Sequence, residues 1–374
     1  MMRAAPQARI VAALRTGIVP RGGAFAQREI HDLAASLIPH LLAQAGLSAD
    51  QVDEVILGNA LGAGGNPARL VALAAGLPER VAGLSLDRQC CGGLDALRIG
   101  AALIGSGMAQ VVIAGGAESY SRRPLRARRS EDAAALEFYD RPPFTPWPER
   151  DPEMHAAADA LARRLNLSRD AQDAWAIKSH AKACDARARM RAEIVTLDGV
   201  DHDPFARPLT ARLAARARAL GDGSVTSANT SVAADGAALV LMVSEPIAAR
   251  LPQAGLRFLG GATLGDDPTL PGLAPIAAIK AALAAAGLRA GDLAVAEVME
   301  AYAVQAMACV QGAGIAEEIT NLGGGALARG HPIGASGAVN AVRLFHELRR
   351  RGGGIGIAAI AAAGGLGTAV LLGD

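Results

Sequence analysis

Aromatic side chains account for only 3% of this chain. A core without them has to be built from alanine, glycine and aliphatic residues, which fill space by close approach of backbones. Cysteine is equally scarce. The four present, Cys90, Cys91, Cys184 and Cys309, form no C-x-x-C pair. They are too few for a disulfide framework, so a reducing compartment, the cytoplasm, is expected. His and Cys do not cluster at zinc spacing, and no metal site is expected. An excess of one charge is missing too. With Lys+Arg 37 against Asp+Glu 36 the formal net charge is +1, and nothing marks nucleic acid or a membrane surface as a partner. Arginines do gather between Arg122 and Arg129 and between Arg207 and Arg218. They are either solvated faces or a basic surface for a phosphorylated ligand. Residues 352–373 carry no charge, which by length alone would permit a membrane helix. Gly352–Gly354 and the Gly364-Gly365-Leu366-Gly367 segment break that run, and two buried strands joined by a glycine turn are expected instead. Met1–Gly17 is basic and free of acids, as a transit peptide can be, but its apolar stretch Ile10–Leu14 is short and closed by Arg15. It reads as a first strand.

At 374 residues the chain can bury a sizeable core in two or three domains. Short apolar runs alternate with longer helical patterns, the signature of an α/β fold with central sheets covered by helices. Val52–Leu57 and Val111–Ala114 read as strands, and Asp95–Ile104 as a helix of small residues. The far end repeats this loosely, with a helix over Ala335–Leu348 and a strand over Ile355–Ala363. These are two similar halves, residues 1–120 and 245–374. Between them, over residues 121–244, prolines and charges rise and Leu167-Ser168-Arg169-Asp170 opens a long polar helix through Ala186. That segment is expected to be an inserted loop domain that returns to the first half, and such lobes often cover a ligand.

Two segments carry chemistry. In Asp87-Arg88-Gln89-Cys90-Cys91-Gly92-Gly93-Leu94, Cys90 stands just before a helix, where partial positive charge favours a thiolate. An isolated cysteine is otherwise a buried, inert one. In Gly330-His331-Pro332-Ile333-Gly334-Ala335-Ser336-Gly337, His331 lies in a tight glycine-rich loop, and imidazole is the natural partner for activating a thiol. Two halves facing each other would bring the two helix starts together.

Arg88-Gln89-Cys90 with Gly93-Leu94 resembles the nucleophile motif of the thiolase superfamily, and Gly330-His331-Pro332 with Gly334-Ala335-Ser336-Gly337 resembles its histidine motif. Further family-like stretches follow in order. They are Leu57-Gly58-Asn59, Asn66-Pro67-Ala68-Arg69, Ala114-Gly115-Gly116-Ala117-Glu118-Ser119, Gln172-Asp173-Ala174-Trp175-Ala176, and Asn229-Thr230-Ser231 with Asp235-Gly236-Ala237-Ala238. The resemblance covers about Arg15 to Thr368. It implies two α/β halves with a loop domain over coenzyme A, and acyl-CoA and CoA as the small-molecule partners, with no permanently bound cofactor. It implies Cys90 as acyl-accepting nucleophile, His331 as its base and oxyanion donor, and backbone N–H groups near Cys90 and Gly364 as a second oxyanion site. Ser231 would contact the pantetheine arm and Arg216 or Arg218 the CoA phosphates. A homodimer or homotetramer is implied as well.

The sequence departs from the family twice. Where many thiolases carry a second cysteine this chain has Ala361, and the Asn-Glu-Ala-Phe motif appears as Met299-Glu300-Ala301-Tyr302. Both changes fall on carbon–carbon bond formation and leave acylation of Cys90 intact. Glu300 is a candidate base or a structural carboxylate. Tyr302 is a hydrogen-bond donor or a filler of the Phe site. Cys91 points about a hundred degrees from Cys90 on a helix and would at most line the pocket. Cys309 follows too far along to replace the missing thiol. Pro271-Gly272-Leu273-Ala274-Pro275 falls where thiolases place a substrate-lining loop. The competing reading is a non-catalytic acyl-CoA-binding homologue acting as partner subunit or sensor. Gly62-Ala63-Gly64-Gly65 and Gly352-Gly353-Gly354-Ile355-Gly356 do not give G-x-G-x-x-G with a later acid in the order a dinucleotide site needs.

Overall fold

The computed structural model describes residues 8–131 and 135–374; residues 1–7 of the segment read as a first strand lie outside them. Twelve strands form among the described residues: β1 (Ala8–Arg15), β2 (Val19–Pro20), β3 (Glu54–Gly58), β4 (Ala82–Leu86), β5 (Val111–Glu118), β6 (Arg126–Arg129), β7 (Leu136–Tyr139), β8 (Ala234–Ser244), β9 (Leu256–Gly265), β10 (Val295–Val298), β11 (Ile355–Ala362) and β12 (Leu366–Gly373). The helices of eight residues or more are α1 (Ile38–Ala45), α2 (Pro67–Ala74), α3 (Gly92–Gly105), α4 (Met154–Leu165), α5 (Arg169–Met190), α6 (Ala274–Ala285), α7 (Ala303–Ala313) and α8 (Ser336–Arg350).

The two halves use the same plan. In the first, β3 runs parallel to β5, β5 antiparallel to β8, and β8 antiparallel to β1. In the second, β10 runs parallel to β11, β11 antiparallel to β12, and β12 antiparallel to β9. Every residue of β5 and β8 is buried, which explains why they read as unbroken apolar runs and not as alternating strands. Sequence analysis expected a sheet in each half. The two are in fact continuous, in the order β10-β11-β12-β9-β1-β8-β5-β3-β4. The joint is short: only Arg9↔Arg257 and Ile10↔Leu256 pair between β1 and β9. The charge-free segment 352–373 folds as β11 and β12, joined by a turn at Gly364 and Gly365, both at positive φ. No helix among the described residues is long and apolar enough to cross a membrane.

Two helices occupy equivalent places, α3 ahead of β5 and α8 ahead of β11. They share one core, in which Leu94 and Leu97 of α3 and Val342 and Phe345 of α8 pack with Val240 and Met242 of β8 and Ile360 and Val370 of the second half. Small residues make their contact possible. A Cβ on Gly93 would lie 2.5 Å from the backbone N of Ala338, and one on Gly337 would lie 2.8 Å from the N of Leu94. The glycines after Cys90 and His331 are therefore first of all a helix-packing device. The chain between β5 and β8 leaves the sheet. It forms the β6–β7 hairpin, α4 and α5, the latter capped by Ser168 accepting from the N–H of Ala171.

Candidate active site

Glu118, at the end of β5, is fully buried and accepts hydrogen bonds from the N–H groups of Ala60 and Leu61 and from the Asn59 side chain of the first half, and from the N–H of Gly334 at 3.0 Å. One carboxylate thus ties three of the recognised motifs together and fixes the loop that carries His331. Burial holds its carboxyl up at about 7 despite the four donors. The loop is held from the other side by the strand-like run after Asn229. His331 N donates to Val232 O at 2.8 Å, and Ser231 N and Oγ both donate to Ala301 O.

Cys90 follows Gln89, a non-glycine residue at φ 49. That left-handed turn is supported by Asp87, whose carboxylate accepts from Gln89 N at 2.8 Å, and backbone strain of this kind concentrates at functional positions. The turn delivers the Cys90 Sγ to 3.2 Å from His331 Nε2. On the far side of the ring, His331 Nδ1 is 2.6 Å from Ser336 Oγ, and Ser336 Oγ is 2.9 Å from Pro332 O. A carbonyl only accepts, so Ser336 spends its one proton on Pro332 and must accept from Nδ1–H. That network assigns the tautomer: Nε2 carries the free lone pair and faces the thiol.

Burial pushes the Cys90 thiol well above its ordinary value and lowers His331 to about 4. A helix start favours a thiolate, but Cys91 and not Cys90 is the cap of α3, and burial acts on Cys90 in the opposite direction. Burial thus favours the neutral thiol and the neutral imidazole, a pair that can exchange a proton without changing the net charge of the site.

Cys90 and His331 open onto a cavity of about 290 Å³. Its wall includes Gln89, Tyr120, Phe144, Met154, Ala157, Ala158, Leu161, Thr230, Ser231, Pro271, Gly272, Tyr302, Gln305 and Ala361–Ala363. The segment between β5 and β8 supplies Phe144 and the α4 residues. Pro271 and Gly272 stand where the sequence placed a substrate-lining loop. Tyr302 is half-buried in this wall, and burial raises its phenol above its ordinary value. It therefore stays protonated and is a donor, not a base.

Several candidates lie elsewhere. Glu300 does not face the cavity. Its buried carboxylate accepts from Trp175 Nε1, Ser179 Oγ, Asn321 Nδ2 and Leu327 N, so the structural alternative is the correct one. Cys91 is fully buried in the shared core with its Sγ 3.6 Å from Ile360 O, and does not line the cavity. Cys309 sits behind the wall, 3.2 Å from Gly272 O. Arg216 and Arg218 are exposed and away from this wall; the carbonyls around them are pinned by Arg169, which donates to Ala214, Ala215 and Ala217. Gly364 lies in the β11–β12 turn beside Phe144, next to the cavity wall at Ala363. Met299 is packed in the core with its N–H on Ala359 O. No cluster of three or more His, Cys, Asp or Glu able to hold a metal occurs among the described residues.

Sequence reasoning missed Ser336 and Glu118 as positioning residues, although both stood inside quoted motifs. It also missed the apolar wall from Phe144 and α4. The regular spacing of Met154, Ala157, Ala158 and Leu161 along one helix face was the available signal.

A thiol beside an oriented imidazole, at the seam of a duplicated α/β fold, is an arrangement suited to nucleophilic catalysis. The chain belongs to the thiolase family: the family model "Thiolase, N-terminal domain" matches residues 8–246 and "Thiolase, C-terminal domain" residues 253–374. It is 42% identical to the Bacillus subtilis (strain 168) protein named "Putative acetyl-CoA C-acetyltransferase YhfS", covering 97% of this chain and 98% of that one. It is 36% identical to an acetyl-CoA acetyltransferase of Shinella zoogloeoides, with 97% and 98% covered. Its fold superposes on the crystal structure of the Bacillus anthracis acetyl-CoA acetyltransferase with a TM-score of 0.92 at 32% identity, over 99% of both chains.

Proposed function

We propose that this protein is a thiolase-type acyltransferase that forms or cleaves a 3-ketoacyl-CoA through an acyl-Cys90 intermediate. The observation that carries the reading is the relay Cys90 Sγ–His331 Nε2–Ser336 Oγ, at 3.2 and 2.6 Å, opening on the cavity. His331 Nε2 takes the thiol proton as sulfur attacks the thioester carbonyl. The carbon–sulfur bond to CoA breaks, and the departing CoA thiolate receives that proton. His331 and backbone N–H groups near Cys90 and Gly364 are the donors proposed for the developing oxyanion. Ser231, in the wall, is the contact proposed for the pantetheine arm. Arg216 and Arg218, exposed and off this wall, remain the proposed contacts for the CoA phosphates. No permanent cofactor is needed, and a homodimer or homotetramer in the cytoplasm is the proposed setting.

Carbon–carbon bond formation requires a further acid or base, and Ala361 supplies none. Of the substitutes considered, Tyr302 alone faces the cavity. As a protonated phenol it would donate to the enolate oxygen of the second thioester. The α-proton itself is left to His331 once CoA has departed. The second reading, a binding homologue without turnover, rests on Ala361 and Met299.

Intact mass after brief exposure to a panel of acyl-CoAs tests the choice. One added acyl group, absent in Cys90→Ala, is the expected result. Folded protein that binds acyl-CoA and acquires no adduct across the panel, with rapid quenching included, would favour the binding homologue.

A further inference from the structure

A second cavity, of about 420 Å³, opens at the C-terminal ends of α5 and α8. Its wall brings together Arg189, Arg343, Arg349 and Arg350, with Glu347 as the one carboxylate and His346 beside it. Arg189 comes from α5 and the others from α8. The place is remote from the thiol: Ser336, which orients His331, begins α8 and Arg350 ends it. Fifteen residues at 1.5 Å each separate the two by about 20 Å.

The ordinary reason for arginine here is the negative end of a helix. It falls short. Two helix ends supply about one negative charge between them, and Glu347 one more, against four guanidiniums. Glu347 is shared by three of these arginines: buried Arg343, Arg350, and Arg189 at 3.5 Å. Deeper in, Arg343 also pairs with Glu193, which Arg15 holds at 2.7 Å, and Arg15 is matched in turn by Asp203. Glu193 and Asp203 are thus already spoken for, and Glu297, the further buried carboxylate that acts on Arg343, is raised by burial to about 7. Two features of the wall still mark excess positive charge. Arg343 is 1% exposed, and its Nε has no hydrogen-bond partner among the described residues. Burial, and after it the neighbouring Arg189, Arg343 and Arg351, lower the pKa of Arg350 even beside Glu347. His346 cannot take up the surplus: its Nε2 is committed to Ala13 O at 2.8 Å, and burial keeps it neutral.

We propose that this cavity binds a small phosphate-bearing polyanion, a diphosphate group being the size and charge that several converging guanidiniums at one concave site can take. Planar forks on two helices match phosphate oxygens bidentately. The partly exposed Arg189 and Arg350 and the exposed Arg349 would clamp the ligand, while Arg343 sets the floor. The site is independent of acyl transfer and stands whether or not Cys90 is acylated.

The test is calorimetric titration of the full-length protein with inorganic pyrophosphate at low salt, with ADP as a second arm and orthophosphate as a third. One saturable site per chain is expected, with pyrophosphate or ADP at least tenfold tighter than orthophosphate. Tighter ADP would identify a nucleotide as the source of the diphosphate. Arg350→Gln and Arg189→Gln, both at partly exposed positions, should each weaken binding about tenfold or more. Arg349→Gln serves if either misfolds, and Arg289→Gln, at an exposed position outside both cavities, should leave binding unchanged. No saturable binding beyond the effect of equal chloride would overturn the proposal. So would a site kept in Arg350→Gln and lost in Arg216→Gln, which would belong to the thioester end of the molecule.

Discussion

The Glu118 carboxylate accepts the backbone N–H of Gly334 at 3.0 Å, so the strand end of one half fixes the histidine loop of the other. Burial raises its carboxyl to about 7 in the folded protein, from an ordinary value of 4.5. A raised carboxyl binds its proton more tightly in the folded state. Its contribution to stability is complete below about pH 4.5 and is lost as the pH rises through 7. Urea melts at pH 5, 6, 7 and 8 should show a downward slope in the wild type that Glu118→Gln lacks, a difference of roughly 1–3 kcal/mol across the window. Parallel slopes in the two proteins would place the Glu118 proton elsewhere.

Ser336 acts on the sulfur only through His331. Removing its oxygen in Ser336→Ala frees Nδ1 and releases the tautomer, so acylation of Cys90 should slow by about 10–10²-fold while the affinity for CoA stays as it was. Rapid-quench mass spectrometry gives the rate and calorimetry the affinity. Loss of both together would show a collapsed loop and no specific orienting role.

Because burial raises the Cys90 thiol and lowers His331, the free enzyme should hold almost no thiolate at neutral pH. Alkylation of Cys90 by iodoacetamide should therefore climb steadily from pH 7 to 9, tracking the thiolate fraction. A plateau reached below pH 7 would reveal a standing thiolate–imidazolium pair.

Ala361 forms part of the cavity wall that also holds Cys90. Restoring a thiol with Ala361→Cys should raise the carbon–carbon step at least tenfold, within the range a positioned acid/base supplies, about 10²–10⁴, and leave acylation unchanged. Tyr302→Phe should act in the opposite direction on the same step. Single-turnover assays that separate acyl-enzyme formation from condensation distinguish these effects.

Gly93 meets backbone on the facing helix, with a Cβ position 2.5 Å from Ala338 N. Backbone has no rotamer to yield, so Gly93→Ala should cost about 1–3 kcal/mol, read from denaturant midpoints. An unchanged midpoint would mean that α3 and α8 can slide apart.

The pairing of Cys90 with His331 was legible because each stands before the same helix in its own half, and duplication predicts that matching positions meet. The strands around Val55, Ile113 and Ile357 were legible for a related reason: runs buried on both faces leave a plain apolar trace. Glu300 was not legible. Its partners Trp175, Ser179 and Asn321 come from distant parts of the sequence, and only the fold shows that its oxygens are already occupied. The burial of Cys90 was not legible because a helix start is a local feature, whereas the cavity wall around the thiol comes from distant parts of the sequence. The second cavity was invisible for the same reason, since Arg189 and Arg350 lie on different helices and each taken singly is an ordinary helix-end arginine.

The joint between the half-sheets, two residue pairs between β1 and β9, leaves much of the hold between the halves to the core that α3 and α8 share with β8. A gene cut in the stretch between residues 246 and 253, where the two family matches part, would yield two polypeptides that each expose one glycine-notched helix. Neither could hold sulfur and imidazole together alone, so catalytic competence in such a split protein becomes a reporter of reassembly.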